Sequence, residues 1–91
     1  MSSSIIHDSD ECYICGRYAT ERHHVMHGTA NRRLADADGL TVMLCYVCHK
    51  NLHDKGWYDR DLQRLAQERW MEYYNKSEDE FRSRYGKSYL T

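Results

Sequence analysis

Apolar residues recur with a clear helical period in one long stretch of this chain. Leu62, Leu65, Ala66 and Trp70 fall at i, i+3, i+4 and i+8. That single stripe predicts an amphipathic helix whose apolar face covers a core. Asp59 stands where a cap belongs, Arg60, Arg64, Gln67, Glu68 and Glu72 lie largely off the stripe, and Tyr73 extends it. Ser77 and Glu80 have capping-box spacing, which predicts a short second helix, with Gly86 as its stop. Upstream the pattern is weaker. Thr41-Val42-Met43-Leu44 is a β-prone run, and Arg22 to His27 reads as another short strand. Thr29 to Asp38 is polar and reads as a long loop with room for one helical turn, whereas Cys45 to Asp54 reads as a helix ended near Gly56.

Length changes the picture first. Ninety-one residues point to one domain. Leu, Ile, Val and Phe together number only 14, although the hydrophobic content is 41%. So thin a core calls for a staple: disulfides, a metal or a partner. No apolar run approaches the ~20 residues of a membrane span. Met1 to Glu11 has neither a basic n-region nor a long apolar stretch, so it does not read as a secretory signal. The expected compartment is therefore reducing and cytoplasmic, where paired cysteines hold metal more often than they form disulfides. Three segments follow: residues 1–11, Ser-rich and acidic, as a mobile tail or an ordered arm; residues 12–56, rich in Cys and His; and residues 57–91, helical. The expected class is α+β.

Two C-x2-C units stand out, Cys12/Cys15 and Cys45/Cys48. Each turns two sulfurs toward one ion, and together they complete a tetrahedral four-cysteine zinc site. Gly16 suits the tight turn in which backbone amides point at sulfur. The competing reading is two disulfides. By itself the quartet implies only a zinc-stapled module.

The histidines go further. His23 and His24 are adjacent, and His49 and His53 stand at i and i+4, on one helix face. Cys48 lies about 100° round that helix from His49, so the sulfur and the imidazoles can serve different sites. Four histidines leave one to spare after a three-His metal site, and an imidazole of near-neutral pKa is suited to act as a general base. The plainer alternatives are a surface His pair, a zinc accessory at His49, and a helix-end cap at His53.

The succession Cys12-x2-Cys15, His23-His24, then Leu44-Cys45-x2-Cys48-His49-x3-His53 resembles the HNH endonucleases of the His-Me finger (ββα-metal) group that carry a four-cysteine zinc site. The stretch His23-His24-Val25-Met26-His27-Gly28-Thr29-Ala30-Asn31-Arg32-Arg33, with Gly39-Leu40, is most similar to small phage-borne members. The resemblance implies that residues 12–56 form a zinc-bound HNH core, treble-clef-like, with C-terminal helices packed on it. It implies His23, His49 and His53 as ligands of one catalytic divalent cation (Mg2+, Mn2+, Ni2+ or Zn2+), Cys12, Cys15, Cys45 and Cys48 around structural Zn2+, and His24 as the base that activates water. The family's middle Asn has no direct counterpart. The position counted back from His49 falls on Leu40, so Asp38 is the substitute that could brace the loop, with Asn31 as another candidate. His7 and His27 match no slot.

The pI near 6.6 argues against a wholly basic nucleic-acid binder. Charge is uneven, however: Arg17, Arg22, Arg32 and Arg33 face only Glu21 within their stretch, while Asp8, Asp10 and Glu11 make the beginning acidic. Arg22, Arg32 and Arg33 are candidate contacts to a DNA backbone, which position without reading sequence; a solvated basic loop is the equal alternative. The leading expectation is a metal-dependent DNA endonuclease or nickase, in the bacterial host cytosol if phage-borne. The alternatives are a non-catalytic zinc module binding DNA or protein, and a subunit of a larger phage recombination or packaging complex.

Overall fold

The two β-prone runs find each other. Glu21–His24 (β1) and Thr41–Leu44 (β2) pair antiparallel, with Glu21 opposite Leu44 and His24 opposite Thr41. A computed structural model, describing residues 4–90, adds four helices to this two-stranded sheet: Thr29–Asp38 (α1), Tyr46–Lys55 (α2), Asp59–Tyr74 (α3) and Glu78–Tyr85 (α4). The fold is thus small and α+β. Among the described residues no helix is long and apolar enough to cross a membrane.

The segment expected to be a loop is a ten-residue helix, α1. Its inward stripe is Asn31, Leu34, Ala35 and Asp38, spaced i, i+3, i+4 and i+7, so the period is helical but half of its members are polar. They are held inward by hydrogen bonds rather than by hydrophobicity. Asn31 Nδ2 donates to the Tyr85 carbonyl at 3.1 Å. The Asp38 carboxylate accepts from Trp70 Nε1 at 2.9 Å, from Arg84 Nε and an Arg84 terminal nitrogen at 2.7 and 2.8 Å, and from Tyr85 Oη at 2.6 Å. Tyr74 Oη donates to the Asp38 carbonyl at 2.8 Å. The carboxylate expected to brace a loop therefore ties the end of α1 to α3 and α4.

Helix α2 runs as expected from just after Cys45 to Gly56, and Cys45 is itself the cap, its Sγ accepting from the Cys48 amide at 3.4 Å. Helix α3 differs at its edges. Tyr58, with φ 66°, is the cap residue, and Asp59 is the first helical residue, where its charge favours the N-terminal dipole. Tyr73 is exposed rather than part of the buried face. Gln67, expected off the stripe, is fully buried. It donates to Ser88 Oγ at 3.0 Å and accepts from the Tyr89 amide at 2.6 Å, clamping the C-terminal residues onto α3. Helix α4 carries the full Ser77/Glu80 capping box and stops at Gly86.

One apolar cluster joins these parts. Val25, Met26, Leu40, Val42 and Leu44 from around the sheet pack with Leu52, Leu62, Ala66, Trp70, Phe81 and Tyr85. Its aromatic end is built from Trp70 and Phe81, edge-on at 5.3 Å, and from Phe81 stacked on Tyr85 at 4.6 Å. Ile5 and Ile6 pack against the cluster, and the Ile5 amide donates to the Gly39 carbonyl at 2.9 Å.

Candidate metal centres and the cavity beside them

The four cysteines converge. Their sulfurs lie within 4.8 Å of one another, so they could hold one metal ion. With sulfur about 2.3 Å from a central zinc, a tetrahedral edge is about 3.8 Å; Cys15 Sγ and Cys45 Sγ stand 3.7 Å apart. All four are free thiols, with no disulfide. Burial works to raise the Cys12 thiol, but the backbone amides at Cys15, Cys45 and Ile14 outweigh it and bring the pKa down to about 6. Burial and the neighbouring thiols push Cys48 the other way. Amides arranged to favour a thiolate are what a metal-binding knuckle needs. The first knuckle is anchored to β2, since the Tyr13 amide donates to the Met43 carbonyl at 2.9 Å.

The second cluster is His23, His49 and His53, whose ligand nitrogens also lie within 4.8 Å of one another. The pleat of β1 explains how it forms. Side chains alternate across a strand, so Glu21 and His23 share the face turned to α2, where the His23 ring lies 5.2 Å from His49 and 5.6 Å from His53. His49 Nδ1 meets Glu21 Oε1 at 2.6 Å. That contact keeps the proton on Nδ1 and leaves Nε2 with a lone pair to offer an ion. His49 Nε2 and His53 Nε2 stand 3.0 Å apart; two ligand nitrogens about 2.1 Å from a shared ion are about 3.0 to 3.4 Å apart, depending on its geometry. His23 is 2% exposed, and its Nε2 has no hydrogen-bond partner. Burial, reinforced by His49, His27, His53 and His24, brings its pKa down to about 3, so it is neutral and ready to ligate at physiological pH. A buried, unsatisfied nitrogen between two other imidazoles suits an ion bound at that point.

The other face of β1 carries Arg22 and His24, and both reach Asp36 on α1. Arg22 forms an ion pair with it, and His24 Nε2 lies 3.5 Å from its Oδ1. Because β1 ends at His24, a cavity of about 280 Å³ wraps round the strand end. It is lined by Arg22, His24, Gly28 and Arg32 together with His23, His27, His49 and His53. The predicted ligands and the predicted base therefore face one space from opposite sides of the pleat. Arg32 lines it; Arg33 is exposed on α1. Asp38 is not among the lining residues, being engaged with Trp70, Arg84 and Tyr85. His27, which had no assigned role, joins Asp59 at 2.7 Å and ties the wall of the cavity to α3.

Sequence reasoning missed Glu21 and Asp36. Glu21 had a signal: it lies two residues before His23 and so shares its strand face. Asp36 had none, because its segment was read as a loop. Comparison with protein-family models, with curated proteins and with solved structures returned no match.

Proposed function

We propose that this protein is a metal-dependent endonuclease or nickase of the HNH type. In this reading a zinc-stapled, treble-clef-like ββα-metal core hydrolyses DNA phosphodiester bonds. The observation that carries it is the convergence of His23, His49 and His53, from a strand and a helix, in a basic cavity that also holds His24.

A divalent cation bound there supplies positive charge to a phosphodiester and to its departing oxygen. His23, His49 and His53 hold the cation, and Glu21 fixes the tautomer of His49. His24 is the general base. With Nε2 turned to Asp36, the nitrogen left to take a proton from water is Nδ1. Asp36 orients this base much as a carboxylate orients the histidine in a nucleophile–base–acid array. Arg32 contributes positive charge at the cavity wall for the DNA backbone, and Arg33 adds charge on the same helix. Arg32 and Arg33 would contact the backbone rather than base edges, so in this reading specificity, or recruitment to phage recombination or packaging, would come from a partner.

The test is cleavage of supercoiled plasmid with Mg2+, Mn2+ or Ni2+, with metal counting alongside. We expect two ions of different affinity per chain, and cleavage that falls by about 10²- to 10⁴-fold in His24→Ala, the usual contribution of a general base. Full activity in His24→Ala removes the base assignment. One ion per chain and no cleavage with any cation leaves a non-catalytic zinc module.

A further inference from the structure

On the side of α2 turned away from the histidines, apolar side chains face water. Val47 is 58% exposed, Trp57 49% and Tyr58 53%. Beside them run two shallow cavities, of about 260 and 170 Å³, which share Ile14 and Tyr58 and so form one trough. Leu62 and Leu65 of α3 line one end, and Asn51 of α2 with Trp57 lines the other. Val47 stands one turn before Asn51 on the same helix face. Asn51 lies about 160° round α2 from His49, so the trough and the three-histidine cavity open on different sides of that helix.

Two features mark the trough as an interface rather than stray exposure. Tyr58, at its middle, has φ 66°, an outlier for a bulky residue. Glycine would adopt that backbone freely, yet the position presents an aromatic ring, and strain of this kind persists where the placement of a side chain matters. The charges at the two ends are opposite and unspent. Asp61 lines the α3 end, and Lys55, its Nζ 4.5 Å from the centre of the Trp57 ring, stands at the other. Among the described residues neither forms an ion pair.

We propose that this face binds a second copy of the chain about a two-fold axis, with Asp61 of each copy against Lys55 of the other. A two-fold contact must be complementary to itself. A trough with an acid at one end, a base at the other and an aromatic between them meets that condition when the second copy lies antiparallel. The area agrees. A standard interface takes about 800 Å² from each partner, a little over half of it apolar, or roughly 450 Å². An aromatic side chain carries about 150–250 Å², so Trp57 and Tyr58 at half exposure, with Val47, Ile14 and Leu65, offer on the order of 350 Å². That suits a weak dimer. Both three-histidine cavities lie away from the contact, so the inference does not rest on what those centres do.

Sedimentation equilibrium of the zinc-loaded chain across the micromolar range tests this. We expect monomer and dimer in exchange, with a dissociation constant in that range, as fits an interface of this size. Tyr58→Gly removes the ring and suits the backbone. It should weaken the dimer by about tenfold or more while keeping the thermal midpoint of the dilute monomer. Asp61→Lys and Lys55→Glu each set like charges against one another at both ends of the contact, and each should weaken it by about tenfold or more. Mixed in equal amounts, these two variants should associate about as well as the parent, because each supplies the charge that the other lacks. A chain that stays monomeric overturns the proposal, whether its trough then takes DNA, a different protein or nothing. A dimer indifferent to Tyr58→Gly overturns it too, since another face would form it. A mixture that fails to associate, although each variant keeps its circular dichroism, overturns the pairing of Asp61 with Lys55.

Discussion

Glu21 shows how much a single side chain does beside a candidate metal centre. Its carboxylate, 2.6 Å from His49 Nδ1, decides which nitrogen of that ring carries the proton and makes the opposite nitrogen a better donor. In Glu21→Gln the hydrogen bond can persist but the negative charge is gone. We expect the ion at the three-histidine centre to bind about 10- to 100-fold more weakly, the usual cost of losing such a partner, while the ion at the four cysteines is retained. Calorimetric titration with Mn2+ or Ni2+ into zinc-loaded protein measures this, and unchanged affinity would mean that Glu21 only fills space. His23 makes a pH prediction at the same scale. Unfolded, the imidazole titrates near 6.5; folded, burial and its neighbours hold it to about 3. Between those values the unfolded chain carries a proton that the folded chain lacks, so stability falls as pH falls through this window. Urea midpoints of protein free of the second ion should therefore drop from pH 7 to pH 5.5, and this part of the slope should vanish in His23→Asn.

Among the elements, α1 marks the limit of what the pattern of apolar residues can reveal. The strands, α2, and the capping box and stop of α4 were legible because their signals are local: β-prone runs, a Ser-x-x-Glu spacing, a glycine in the left-handed region. Helix α1 was not, because half of its inward stripe is Asn31 and Asp38, and a polar residue turned inward looks in sequence like one turned to solvent. Gln67 on α3 was misplaced for the same reason. What buries Asp38 is long-range: donors on Trp70, Arg84 and Tyr85, from 32 to 47 residues away, converge on one carboxylate. The Arg84 guanidinium is held more firmly protonated by that contact, and burial with the same carboxylate pushes the Tyr85 hydroxyl well above its ordinary range. Removing the acceptor leaves a buried indole N–H and a buried hydroxyl unpaired. Asp38→Ala should therefore cost about 3 kcal/mol in urea denaturation, within the range for breaking a buried charged network. Ser77→Ala, which removes one cap, should cost only about 1 kcal/mol. A cost for Asp38→Ala no larger than that of Ser77→Ala would mean that Asn31, Leu34 and Ala35 hold α1 without it.

For the whole molecule, the shortage of large aliphatics assigns the two candidate metal centres different duties. Thirteen such residues and Phe81 are spread along the chain, and the cluster built from most of them runs without a break from the sheet to α4. Cys12 is part of that cluster, 2% exposed, and Cys45 and Cys48 pack against it. The cysteine centre therefore abuts the core through Cys12, Cys45 and Cys48, with Cys15 at its exposed edge, while the three-histidine centre opens to a cavity whose outer ligand, His53, is exposed. An ion at the first site should be inseparable from folding, as in small domains that are unfolded without metal. An ion at the second should stabilise only by mass action, by about 2.7 kcal/mol at a hundredfold excess over its dissociation constant. The paired variants separate the two. His49→Ala/His53→Ala should bind one ion per chain and unfold cooperatively, with a midpoint insensitive to added Mn2+. Cys45→Ser/Cys48→Ser should lose the near-UV signal of the Trp70–Phe81–Tyr85 cluster at 25 °C, even though those rings lie on α3 and α4, because no separate core exists to hold them. A cysteine variant that keeps that aromatic signal and its cooperative transition would show that α3 and α4 fold without the metal-bound half, and that the thin core needs no staple.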